Sequence, residues 1–78
     1  MNSKKQDSKY LKLLASRIKK LRIEQGLKQY DLGVDERTIR RIENDNFNPS
    51  YLTLVKISET MGVSISELLD FADELEKT

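Results

Sequence analysis

"DERTIRRIENDN", residues 35–46, is the stretch on which the fold turns. Its isoleucines, Ile39 and Ile42, stand three apart, and with Val34 they form one apolar face of a short helix. Asp35 precedes that face as a helix cap, able to accept from the amide of Thr38, so a helix is expected from Glu36 to Asn44. With Ile39 and Ile42 turned inward, Glu36, Arg37, Arg40 and Arg41 must spread over the outer surface. Three guanidiniums on one exposed helix gain little from water alone, and an anionic partner gives them a purpose. The arginine fork matches a phosphate or the major-groove edge of guanine better than lysine does. Thr38 and Glu36 can also reach base edges, the carboxylate accepting from the amino group of cytosine. A salt-bridged surface helix is the plainer alternative. It accounts for Glu36 and Arg40 at a spacing of four, but leaves Arg37 and Arg41 without a role.

Upstream, Leu11, Leu14, Ile18 and Leu21 recur at three- and four-residue steps. They predict an amphipathic first helix from about Lys9, capped by Ser8, to Gln25, with Gly26 as its stop. Residues 1–8, polar and lysine-rich, are expected to form a mobile basic arm. "LKQYDLG", residues 27–33, leaves space for about one helical turn before Gly33. Downstream, "NDNFNPS" is a turn, with Asn and Asp tolerant of unusual backbone angles and Pro49 forbidding continuation. Ser50 then caps a fourth helix with Tyr51, Leu54, Ile57, Ser58 and Met61 as its buried positions and Gly62 as its end. Ser64 and Glu67 form a capping box for a fifth helix carrying Ile65, Leu68, Leu69, Ala72 and Leu75, followed by an acidic tail. No stretch alternates in the strand pattern. The expectation is an all-α, compact five-helix domain over residues 9–70, with 71–78 as the end of helix 5 and the tail.

The 78 residues suit a single domain, small for one held only by its core. They include no cysteine and no histidine. That removes disulfides, thiolate metal sites and histidine-based catalysis, and no glycine-rich phosphate loop is present. The chain therefore reads as non-enzymatic, free of metal and cofactor. The lysine-broken start resembles neither a signal peptide nor a membrane span, and a reducing, cytoplasmic setting is expected. The net charge of +1 conceals a division: residues 1–41 sum to +7 and residues 42–78 to −6. A basic half that meets a polyanion explains the division, and so does a merely dipolar surface.

The continuous text "RIKKLRIEQGLKQYDL" (residues 17–32) and "GVDERTIRRIENDNFNPSYLTLVKISETMGVSISELL" (residues 33–69) resembles the phage-repressor and Cro family of helix-turn-helix proteins, also named after the xenobiotic-response element. The likeness spans about residues 11–69. It rests on Leu21-Arg22, Gly26-Leu27, Gln29, Gly33-Val34, Ile39, Ile42-Glu43, Asn48-Pro49, Leu54, Gly62-Val63 and Leu68-Leu69, all in family order. Such proteins dock a recognition helix in the major groove as dimers on two-fold sites. The resemblance implies a lambda-repressor-like domain that binds double-stranded DNA as a homodimer, usually to repress transcription, in a prokaryotic cell or encoded by a phage. It implies that Glu36, Arg37 and Thr38 open the recognition helix, with Arg41 placed for bases and Arg40 for phosphate. Gln29 would meet a backbone phosphate or a base, and Asn44, Asn46 and Asn48 phosphates; Lys28 is expected to add a contact blind to sequence. Arg22 and Glu43 match a partly buried structural ion pair.

Two departures stand out. Between Leu32 and Gly33 the family has about four more residues, roughly 6 Å of helix that would bring two apolar side chains to the core. Losing them would cost on the order of 2–5 kcal/mol and weaken the brace behind the recognition helix. Either the motif is truly shortened or the chain is interrupted there, and interruption is the working expectation. The second departure is Asp45, where the family favours glycine and Asp is expected to adopt the left-handed conformation.

Two other functions compete. A protein-interaction or antitoxin-type module would use the last helix, with Leu68 and Leu69 completing the core and Phe71 and Leu75 forming a dimer seam. Attachment to a membrane surface through the first helix fails because the core already claims its apolar stripe.

Overall fold

A computed structural model describes residues 3–71, with side chains from Asp7 onward. Those residues form four α-helices and one 3₁₀ turn: α1 Ser3–Glu24, the turn Gln29–Asp31, α2 Glu36–Asn44, α3 Tyr51–Met61 and α4 Ile65–Leu68. The described residues are all-helical, as expected, but among them the expected five helices become four, because the second is only a three-residue turn.

Leu32 is followed directly by Gly33, so the expected interruption is absent and the motif is shortened in fact. The turn contributes no buried side chain of its own, but Leu32 at its end is fully buried. Gly33 then turns the chain with φ +81°, close against α3. A Cβ there would strike the hydroxyl of Thr60 and sit 3.4 Å from the Lys56 carbonyl. The backbone thus approaches α3 at a residue that has no side chain to obstruct it.

The core joins Leu14 and Ile18 of α1, Leu32, Ile39 and Ile42 of α2, Ile57 and Met61 of α3, and Leu68 of α4. Leu21, Leu27, Val34, Leu54, Val63 and two phenylalanines, Phe47 and Phe71, pack around it. Each fully buried aliphatic side chain is worth about 1.5–3 kcal/mol. So few large ones must be kept in place by the elements between them.

Two helix boundaries and one buried position differ from the sequence reading. The first helix begins at Ser3, not Lys9, so Ser8 lies inside it and the segment expected as an arm is helical from Ser3. Neither glycine nor proline occurs between Ser3 and Glu24, so nothing halts propagation in either direction. Tyr51, expected in the core, is 70% exposed. As the first residue of α3 its side chain leans back past the start of the helix, where no preceding turn covers it. Ile57, Ser58 and Met61 are buried as expected, and the Ser58 hydroxyl donates to the Val55 carbonyl at 2.8 Å.

The last helix stops at Leu68, and Leu69 is half-exposed instead of helical. A continuing helix would give the Glu67 carbonyl to the amide of Phe71. Here the Asp70 amide donates to it at 3.2 Å, and Arg17 of α1 fills its remaining side, donating from Nε at 3.1 Å and Nη2 at 2.8 Å. Ala72 and Leu75 lie outside the described residues. The caps foreseen at Asp35, Ser50, Ser64 and Gly62 all form.

Candidate nucleic-acid interface

α2 is shaped from its first residue. Asp35 Oδ1 accepts the Thr38 amide at 2.8 Å, and Oδ2 accepts the Thr38 hydroxyl at 2.9 Å. These bonds, helped by the nearby Arg37 charge, hold the Asp35 carboxyl below its ordinary pKa against a small opposing desolvation. The cap leaves Ile39 and Ile42 buried and turns Glu36, Arg37, Arg40 and Arg41 to the surface, as the spacing predicted. Thr38 is half-buried.

The three arginines are held differently. Arg40 Nη2 lies 3.3 Å from Glu36 Oε1, an exposed pair one turn apart and worth no more than about 0.5 kcal/mol. Arg37 stands near the Asp35 carboxylate. Arg41 lies over the ring of Phe47, its guanidinium carbon 4.2 Å from the centroid. Arg37, Arg40, Arg41 and Asp45 line one shallow depression, while Arg22, Lys28, Gln29, Tyr30, Glu36 and Arg40 line a second. Arg40 is common to both, so the two depressions meet along the exposed side of α2.

Behind that surface sits the ion pair foreseen between Arg22 and Glu43. The guanidinium donates from Nε to Oε2 at 2.8 Å and from Nη2 to Oε1 at 3.1 Å. The Arg22 side chain is 12% exposed and that of Glu43 1%. Arg22 Nη1 also donates to the Leu27 carbonyl at 2.9 Å, which fixes the entry to the 3₁₀ turn. Gln29, expected to face a phosphate or base, turns one N–H inward to Glu43 Oε1 at 3.1 Å. One carboxylate therefore gathers α1, the turn and α2. The brace that a longer helix would have supplied is here a polar cluster.

The remaining sequence candidates are dispersed around these elements. Lys28 is exposed, its amide donating to Asp31 Oδ2 at 2.8 Å. Asn44, the last residue of α2, is exposed, and in the loop after it Asn46 is half-buried and Asn48 exposed. The left-handed residue is Asn46 (φ 54°), not Asp45, which caps α2 at φ −116°. Phe71 is half-buried against the core, and Leu75 lies outside the described residues. Sequence reasoning missed Phe47 as the seat of Arg41, the Gln29–Glu43 bond, and Tyr30, which is 64% exposed beside Lys28 and Gln29.

Among the described residues no group of acidic side chains could hold a metal ion, and no helix is long and apolar enough to cross a membrane.

A family model described as helix-turn-helix matches residues 18–68. The chain is 33% identical over 67 residues to the uncharacterized HTH-type transcriptional regulator y4dJ of Sinorhizobium fredii (strain NBRC 101917 / NGR234), covering 81% of this chain and 87% of that protein. No solved structure matches it.

Proposed function

The chain belongs to the helix-turn-helix family of Cro/C1 type, a family of DNA-binding transcription regulators, and on that premise we propose a sequence-specific repressor acting as a homodimer on double-stranded DNA. One observation carries the reading: α2 buries Ile39 and Ile42 and leaves three guanidiniums on a single exposed side. In this reading Glu36, Arg37, Thr38 and Arg41 meet base edges in the major groove. Lys28, Arg40, Asn44, Asn46 and Asn48 meet phosphates, and Gln29 offers its remaining amide group to the backbone. Arg22 and Glu43 serve by orienting α2. The Arg40–Glu36 pair is weak enough to open when a phosphate competes for the guanidinium. Two copies, joined through Phe71 and Leu75, would place their α2 helices in successive major grooves about 34 Å apart. The setting is the bacterial or phage-infected cytoplasm.

The test is selection of preferred sites from random duplex DNA, followed by binding at several salt concentrations. Arg41→Ala is expected to relax preference at one base pair, whereas Lys28→Ala weakens all sequences alike and flattens the salt slope. Equal losses on every sequence for both variants would defeat base reading and favour the protein-interaction alternative. A Leu75→Lys variant with an unchanged dimer mass would remove Leu75 from the seam.

A further inference from the structure

We propose that Phe47 is a positioning residue for base reading, its ring holding the Arg41 guanidinium aimed outward from the last turn of α2. The inference rests on the reading of α2 as the recognition helix and deepens it. Four observations support it. The Arg41 guanidinium carbon lies 4.2 Å from the centre of the Phe47 ring, within cation–π range. The backbone closes the same loop, because the Arg41 carbonyl accepts the Asp45 amide at 2.9 Å and the Phe47 amide at 3.3 Å. The left-handed turn at Asn46 then carries the chain back toward the helix. Phe47 is itself half-buried against the core, so the ring is a fixed platform for the arginine.

The chemistry of the seat matters as much as its place. Arg40 spends a donor on Glu36, whereas Arg41 takes part in neither ion pair of the described residues. A ring covers the face of a guanidinium and leaves its N–H edges free. Those edges are the part that pairs with O6 and N7 of guanine. An ion pair in the same place would have consumed them. Phe47 thus restricts the rotamers of Arg41 without competing for its donors, which lowers the ordering cost of a bidentate contact.

The experiment compares the full chain, Phe47→Leu, Phe47→Tyr and Arg41→Ala. Each is measured on the best selected duplex and on the duplex altered at the base pair that Arg41→Ala relaxes. Phe47→Leu is expected to reduce discrimination at that pair about two- to fivefold, with affinity for random duplex and the salt slope little changed and the melting midpoint lowered only by the lost ring packing against the core. Phe47→Tyr, which keeps the ring, restores discrimination. Phe47→Leu discriminating as well as the parent would overturn the proposal while leaving base reading by α2 intact. So would an equal loss on all sequences that follows a lowered melting midpoint, since that marks Phe47 as structural only. A parent chain without any base preference overturns the recognition-helix reading itself, and this inference with it. If Phe47→Leu does not melt cooperatively, Phe47→Met fills the same space without a ring and takes its place.

Discussion

Arg22 and Glu43 meet as a fork, Nε to Oε2 at 2.8 Å and Nη2 to Oε1 at 3.1 Å, across 21 residues of sequence. The pair fastens α1 to the end of α2 in a place where water hardly reaches Glu43. Removing one partner leaves the other charge desolvated. Arg22→Ala is expected to lower unfolding free energy by about 3–5 kcal/mol in a urea titration. Arg22→Met with Glu43→Leu, which removes both charges and keeps volume, should recover most of that loss. A single variant within about 1 kcal/mol of the parent would show that the pair is incidental to folding.

Gly33 lies against Thr60, and its positive φ adds a second obstacle to any side chain. Gly33→Ala is expected to destabilise by more than the roughly 1–2 kcal/mol that a left-handed alanine costs alone. In a Thr60→Ala background the hydroxyl is gone, so the steric share should disappear and the conformational share remain. A double-mutant cycle by chemical denaturation separates the two, and a coupling energy near zero would contradict the close approach.

Asp35 makes the start of α2 sensitive to pH. Its two bonds to Thr38, and then the Arg37 charge, lower its folded-state pKa below that of the unfolded chain. The stabilisation is therefore fully present above the ordinary aspartate range, near pH 4, and is lost as pH falls through the lower folded value. Asp35→Ala is expected to melt at lower temperature than the parent at neutral pH. The two midpoints should converge on acidification, and a gap that persists at the acid end would mean the cap contributes by other means.

Leu32 is the fully buried side chain that the shortened first helix of the motif sends into the core. Leu32→Ala is expected to cost about 2–5 kcal/mol, readable in a thermal or urea melt. Because it seats the turn that precedes α2, the same change should also blunt discrimination between selected and random duplexes. Retained discrimination in a destabilised variant would separate folding of the turn from placement of the helix.

Where structure is written into adjacent residues, the sequence was legible. The limits of α2 match because Asp35 caps a helix whose apolar face is only Ile39 and Ile42, and the capping box at Ser64 and Glu67 is equally local. The length of α4 was not legible. Leu68, Leu69, Ala72 and Leu75 keep helical spacing, but Arg17, fifty residues away, and the Asp70 amide take the carbonyl the next turn would need. Tyr51 shows that spacing alone cannot bury a residue when the helix begins there. In the candidate site, the exposed set Glu36, Arg37, Arg40 and Arg41 follows from periodicity. The inward turn of Gln29 and the seating of Arg41 on Phe47 depend on long-range and loop contacts. A phenylalanine amid asparagines, between the arginines and Pro49, was the available signal for the latter.

The brevity of the 3₁₀ turn also governs where solvent deuterium enters first. Its backbone is closed by one bond outside the regular ladders, from the Asp31 amide to the Lys28 carbonyl at 3.0 Å, while the amides of Ile39 and Ile42 lie on a buried helix face. Within the described residues, isotope uptake should therefore begin between α1 and α2 and reach the amides of Ile39 and Ile42 only when the whole domain opens.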